Sequence, residues 1–327
     1  MHYRILGKTG LSISEVSLGT WQVGGKWGSP FDDDRADRII RTALDGGVNF
    51  IDTADVYSEG MSEKAVGRAV KGRDDVYVAT KCGRQVTPHI SEGYTVEALR
   101  SFVEQSLKRT GLERLDLIQL HCPPTEVYYR PEIFGLFHDL QREGKIAHLG
   151  VSVEKIEEAI KASEYQNVET VQIIFNMFRQ RPTELFFRLV KERNLGVIVR
   201  VPLASGLLSG KFGKETRFDS QDHRNFNRDG SAFDKGETFS GVPYEVGLET
   251  VEELKELFGE DRPLAPLALR WILMHDQVAT IIPGASRPEQ VESNLSAAEL
   301  PPLSDREMDG VRRIYAEKIA PLVHQRW

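Results

Sequence analysis

Cysteine is scarce: Cys82 and Cys122 are the only two in 327 residues. That excludes a disulfide-stapled scaffold and predicts reduced thiols. Long apolar runs are missing as well. Stretches such as Val197 to Val199, and Leu117 to Leu120 with Gln119 inside it, fall far short of the roughly 20 residues that span a bilayer as a helix. The start, Met1-His2-Tyr3-Arg4, has no apolar leader core, and position 2 lacks the glycine of a myristoylation signal. These absences predict a cytoplasmic protein without a membrane partner. Basic excess is missing too: 42 Lys and Arg face 49 Asp and Glu, a net charge of −7. Such a chain offers nucleic acid no electrostatic footprint, although it can still hold a local cationic pocket for one small anion. Gly7-Lys8-Thr9 resembles the end of a phosphate-binding loop, but His2 stands where that motif needs its first glycine. It reads as a turn.

What is present is material for a large core. Hydrophobic residues make up 40% and charged residues 28%, the balance of a soluble globular chain. Eight short, β-branched apolar runs recur: Glu15–Thr20, Phe50–Ala54, Val76–Cys82, Leu115–His121, Ile146–Ser152, Thr170–Asn176, Gly196–Leu203 and Val278–Ala285. Runs such as Val-Ile-Val-Arg-Val at 197–201 do not alternate, so both faces are buried and the sheet is parallel. Amphipathic helical patterns lie between them, as in Val96, Leu99, Val103 and Leu107.

Glycines at Gly46-Gly47, Gly72, Gly111 and Gly144 fit left-handed caps at helix ends. By length alone two domains are expected, but eight βα units use the whole chain as one α/β fold, a (β/α)8 TIM barrel. A doubly wound sheet is disfavoured, because no Gly-x-Gly-x-x-Gly follows the first strand. Residues 1–14 read as a β-hairpin that plugs the N-terminal end of the barrel. Residues 204–262 read as a long loop region after the seventh strand, and 303–321 as an extra C-terminal helix.

Barrel enzymes place their chemistry at the C-terminal ends of the strands. Asp52, Lys81 and His121 stand there, ending the second, third and fourth runs, and Tyr57 follows five residues after Asp52. Taken singly, each has a bland reading: a loop cap, a snorkelling lysine, a hydrogen-bonded imidazole, a packed ring. All four in successive units make a site. A metal reading on Asp52, His121 and Cys122 lacks a second histidine or a spaced cysteine pair, so no metal is expected.

At these positions the chain resembles the aldo-keto reductases. The matching motifs are Leu18-Gly19-Thr20-Trp21, Phe50 to Tyr57, Ala79-Thr80-Lys81, Leu120-His121, Gly150-Val151-Ser152, Pro202 to Lys211 and Ile282-Pro283-Gly284-Ala285. The nearest subgroup is that of bacterial reductases similar to potassium-channel β subunits. The resemblance implies an NADPH-dependent reductase of aldehydes or ketones, running reversibly. NADH is the less favoured cofactor, and a slow cofactor-sensing protein is the alternative. Tyr57 becomes the general acid, Lys81 the cation beside it, Asp52 the partner of Lys81, and His121 the group orienting the carbonyl.

The resemblance also implies a cofactor site. Thr20, Trp21 and Asp52 line it. Ser152 and Gln172 hold the nicotinamide amide. Arg200 stacks on the ring, where the family often has Tyr. Pro202, Leu203, Gly206, Leu208, Gly210 and Lys211 clasp the pyrophosphate. Gly284, Ser286, Arg287, Gln290 and Asn294 receive the adenosine end, with Arg287 suited to a 2′-phosphate. Trp21, Trp27, Tyr57, His121, Tyr128 and Tyr129 are expected around the substrate at the mouth.

Overall fold

A computed structural model describes residues 1–25 and 30–327. Trp27, expected at the mouth, lies outside the described residues. β1 (Tyr3–Ile5) and β2 (Ser12–Ser14) pair antiparallel across a tight turn at Gly7–Thr9. The barrel follows as β3 (Leu18–Gly19), β4 (Phe50–Asp52), β5 (Tyr77–Cys82), β6 (Leu115–His121), β7 (Ile146–Ser152), β8 (Val168–Ile174), β9 (Gly196–Arg200) and β10 (Val278–Ile281). Each strand pairs parallel with the next in chain order. Parallel bridges Val16 to Ile281 and Gly19 to Gly284 join the first strand to the last and close the ring. All eight expected strands are present.

Helices fill the connections: α1 (Asp33–Asp45), α2 (Met61–Val70), α3 (Val96–Thr110), α4 (Pro131–Arg142), α5 (Ile156–Ala162) and α6 (Phe186–Arg193) follow β3 to β8 in turn. Three helices follow β9: α7 (His223–Phe226), α8 (Tyr244–Phe258) and α9 (Leu264–Leu273). After β10 come α10 (Pro288–Leu295), α11 (Asp305–Ile314) and α12 (Ala320–Val323), the last two joined through a wider turn at Tyr315–Ile319. Local chemistry sets the ends. Thr95 Oγ1 accepts from Ala98 N at 3.1 Å to start α3, and Gly111 ends it at φ 69°. Gly72 and Gly144 take the left-handed region as expected. In the Gly46-Gly47 pair, Gly47 takes it and Gly46 stays at φ −79°.

The region expected as a loop over 204–262 is corrected in one part: α8 occupies fifteen of its residues. Leu248, Val251, Leu254 and Phe258 are buried along one face, the periodicity of a packed helix. No helix among the described residues is long and apolar enough to cross a membrane.

Alternation along the strands sorts the side chains. Ile51, Val78, Ile118, Leu120, Val151, Val171, Val197 and Val199 face the helices in two outer clusters. Inside the barrel, Phe50, Ala79, Leu117 and Ile198 pack with Leu6 and Ile13 of the hairpin, all fully buried. The hairpin therefore plugs the lower end. Above this apolar floor the inward positions turn polar: Asp52, Lys81, Gln119, His121 and Gln172. Gly150 makes that layer possible. A Cβ there would sit 2.1 Å from Thr170 Oγ1 and 3.2 Å from Gln119 Cγ.

Candidate active site

Strand register brings the polar layer together. Lys81 stands opposite Gln119, His121 opposite Ser152, and Ser152 opposite Gln172. Lys81 Nζ donates to Asp52 Oδ1 at 2.5 Å, to the Thr53 carbonyl at 2.9 Å and to Tyr57 Oη at 3.2 Å. Asp52 and Lys81 are each 1% exposed. A buried carboxylate needs every lone pair met. Asp52 Oδ2 accordingly accepts from Gln119 Nε2 at 3.1 Å and from Gln172 Nε2 at 2.8 Å. Tyr57 and His121 meet edge-on, ring centroids 6.0 Å apart. The four expected residues thus form one contact network.

Its electrostatics suit proton donation. Burial pulls the Lys81 ammonium down, but Asp52 and then Tyr57 raise it further, so it stays charged. Burial pushes the Tyr57 phenol up, and Lys81 reverses only part of that. Lys81 therefore does not bring the phenol's pKa below its ordinary value in this state. Tyr57 holds its proton at neutral pH, as a donor must, with a cation ready beside the oxygen. Burial first, and then Arg84 and Lys81, hold His121 well below the usual imidazole range, so it is neutral. Its Nδ1 is buried without a hydrogen-bond partner.

Tyr57 rides on a tight turn in which Ser58 and Glu59 adopt φ of 48° and 55°, a costly conformation for non-glycine residues. Beneath the turn, Arg109 lies against Gly60 and pairs with buried Glu63, which also accepts from Thr80 Oγ1 at 2.6 Å. Thr20 Oγ1 donates to the Asp52 carbonyl at 3.0 Å and accepts from Ser62 at 2.7 Å.

Asp55 lies in the same layer. Both its carboxyl oxygens are buried without a hydrogen bond of normal geometry. Burial, and then Glu63, push its pKa up to about 7, with Gln85 and Arg109 offsetting part. An acid raised on folding binds its proton more tightly in the fold, so stability falls as pH rises from the unfolded value near 4 to about 7 and then levels off. At about 1.4 kcal/mol per pKa unit the cost above pH 7 is about 4 kcal/mol. Asp55→Asn is expected to raise unfolding free energy by about that order at pH 8.5 and to leave it nearly unchanged at pH 4. Denaturant titrations at the two pH values check this; an equal effect at both would contradict it.

The remaining expected residues divide. Ser152 is fully buried at the end of β7, with Cys122 Sγ 3.5 Å from its hydroxyl. Gln172 donates its amide nitrogen to Asp52 Oδ2 at 2.8 Å and to Gln119 Oε1 at 3.1 Å. Arg200 is not a bare cation. Its guanidinium donates to Glu154 at 2.8 Å and to the Val153 carbonyl at 3.0 Å, and Glu237 lies 3.6 Å away. Arg84 joins them, 2.8 Å from Glu237 and 3.5 Å from Glu154.

Pro202, Leu203 and Leu208 begin a turn at Ala204–Ser209 in which Ala204, Ser205 and Gly206 all have positive φ. Gly206 lies against Phe212, and Gly210 caps the turn at φ 70° before exposed Lys211. Gly284 is open above its Cα. Ser286 N and Oγ both donate to Gln290 Oε1, at 2.8 and 3.1 Å, and Asn294 Nδ2 donates to the Gly284 carbonyl at 3.4 Å. Arg287, just before α10, is exposed, and among the described residues Glu289 at 3.9 Å is its one acidic neighbour. Among the aromatics, Trp21 faces Tyr57 at 6.4 Å. Tyr128 corrects its expected place at the mouth: it is 0% exposed, in the core between barrel and helices. Tyr129 is the exposed one, with Lys161 5.0 Å over its ring.

A (β/α)8 barrel that gathers a tyrosine, a lysine, an aspartate and a histidine above the ends of its strands is built as a barrel enzyme. The chain belongs to the Aldo/keto reductase family, whose sequence profile matches residues 15–316. These are oxidoreductases of carbonyl compounds that use nicotinamide cofactors. The chain is 32% identical over 305 residues to Aldo-keto reductase YhdN of Bacillus subtilis, covering 90% of this chain and 87% of that protein. It is 28% identical over 320 residues to a probable voltage-gated potassium channel subunit beta of Arabidopsis thaliana, covering 93% of each. It is also 28% identical over 317 residues to the NADH-specific methylglyoxal reductase of Escherichia coli, covering 90% of this chain and 93% of that one. Among solved structures it resembles aldo-keto reductase AKR11C1 from Bacillus halodurans in its holo form. There the TM-score is 0.76 at 29% identity, over 96% of both chains.

Proposed function

We propose that this protein reduces aldehydes or ketones with NADPH and that Tyr57 is the general acid. The observation that carries this reading is the single contact network of Asp52, Lys81 and Tyr57, with His121 edge-on to the phenol. When bound, the reduced nicotinamide supplies hydride. The chain's own residues do the rest. Tyr57 Oη gives its proton to the carbonyl oxygen as negative charge develops there. Lys81 steadies the phenolate left behind, 3.2 Å away. Asp52, held by two glutamines and the lysine, keeps that cation charged and fixed in place. Neutral His121, edge-on to the phenol, orients the carbonyl oxygen by donating a ring N–H to it.

The residues present fit a dinucleotide. The run of positive φ at Ala204, Ser205 and Gly206 bends the backbone sharply after Pro202-Leu203, and Gly284 leaves room for a close approach. Ser152 sits beside the expected nicotinamide. Arg200, held between Glu154 and Glu237, offers a flat stacking surface. Arg287, with Ser286 at the start of α10, favours a 2′-phosphate. Arg287→Ala is expected to weaken NADPH binding about 10- to 100-fold and NADH binding less than about 2-fold. Fluorescence titration with both cofactors measures the ratio. Tighter binding of NADH by the unaltered protein would overturn the NADPH assignment.

A further inference from the structure

Every tetrad role above comes from the barrel strands and their first turns. The insertion after β9 adds a second imidazole that those roles do not use. His223, the first residue of α7, is 5% exposed. Its ring lies 4.7 Å from that of Trp21, which in turn faces Tyr57 at 6.4 Å. Phe233 lies on its other side at 6.3 Å. Glu237 is within electrostatic reach of His223, His121 and Tyr57 alike. His223 is therefore one aromatic ring away from the proton donor.

Its two nitrogens are in different situations. Nδ1 faces Asp222 Oδ1 at 3.5 Å. A carboxylate oxygen only accepts, so the proton of a neutral ring belongs on that side. Nε2 then carries a lone pair, and it is buried with no hydrogen-bond partner. Burial holds the ring at a pKa of about 4, so it is neutral at working pH. A buried acceptor without a donor costs free energy until a ligand supplies one.

The cations nearby are already paired. Lys81 is with Asp52, Arg84 and Arg200 are both with Glu237, at 2.8 and 3.6 Å, and Arg224 is with Asp222 at 2.6 Å. Among the described residues, an anionic substituent entering this wall would meet a lone pair and a neighbouring carboxylate.

Building on the carbonyl reduction proposed above, we infer that His223 is a specificity residue. Its Nε2 accepts a hydrogen bond from a substrate hydroxyl, so the pocket takes uncharged, hydroxyl-bearing carbonyl compounds in preference to deoxy or phosphorylated ones. No covalent step is involved. The hydroxyl meets a nitrogen that no other group among the described residues satisfies.

The test compares glyceraldehyde, propanal and glyceraldehyde 3-phosphate as probes, each with NADPH. The inference expects kcat/KM to be highest for glyceraldehyde. His223→Ala should lower it about 10- to 100-fold, mainly through KM, while moving propanal less than about 3-fold. His223→Gln, which keeps an acceptor, should recover part of the loss. Thermal unfolding of each variant separates a folding defect from a lost contact. Equal losses on glyceraldehyde and propanal overturn the inference and leave carbonyl reduction standing. So does a preference for the phosphorylated probe. No oxidation of NADPH with any of the three overturns the reduction reading itself, and the inference with it.

Discussion

Tyr57→Phe is expected to lower kcat for carbonyl reduction by about 10³-fold while leaving NADPH affinity within about 3-fold. The ring survives the change, so its edge contact with His121 and its packing on Trp21 survive too. What is lost is one oxygen, the only group in the network that carries a transferable proton at neutral pH. His121 cannot substitute, because burial and the nearby cations keep it neutral, and a neutral imidazole N–H is far too weak an acid to give up its proton. Lys81 is held charged by Asp52, so giving up its proton would leave a buried carboxylate without its counter-charge. Steady-state kinetics with a fluorescence measurement of cofactor binding checks both halves. A loss shared equally between binding and turnover would mean that Tyr57 shapes the site rather than acting as the acid.

Lys81→Met is the second large effect, and it appears in stability as well as activity. The side chain is 1% exposed, and among the described residues its ammonium is the one cation in contact with Asp52. Removing it strands a carboxylate that Gln119 and Gln172 alone must satisfy. Breaking one side of a buried pair costs about 3–5 kcal/mol. The same change removes the charge that stabilises a Tyr57 phenolate, so kcat should fall at least about 100-fold. The double variant Lys81→Met with Asp52→Asn removes the stranded charge. It is expected to regain most of the stability and none of the activity. Chemical denaturation of the two singles and the double gives the coupling. Recovery of turnover in the double variant would show that the lysine matters only for folding.

Much of this was legible in the chain itself. Non-alternating apolar runs specify a parallel sheet, and eight of them with intervening helices specify a barrel; strand ends then single out Asp52, Lys81 and His121. Gln119 was missed because it sits inside β6 between Ile118 and Leu120, not at the end. Only the pairing of Lys81 with Gln119 across β5 and β6 reveals it, although a lone glutamine in an apolar strand was a visible signal. The helix α8 was also visible, as Leu248, Val251, Leu254 and Phe258, but it stood within a stretch read as one long loop.

Tyr128 and Tyr129 show a harder limit. Neighbours in a tight turn point in different directions, and composition cannot say which enters the core. Arg200 shows another. Its pairing with Glu154 joins residues 46 apart, and Glu237 arrives from the insertion, so no local pattern announces the cluster. His223 belongs with these, since its neighbourhood is made by loops from opposite ends of the chain.

The most direct measurement uses NADPH carrying deuterium at the transferable position of the nicotinamide, incubated with the protein and an aldehyde. Mass spectrometry of the alcohol formed is predicted to show one deuterium per molecule and one cofactor oxidised per alcohol, with Tyr57→Phe nearly silent. Tight NADPH binding with no deuterated alcohol from any aldehyde would contradict the account and favour a protein that senses the cofactor without consuming it.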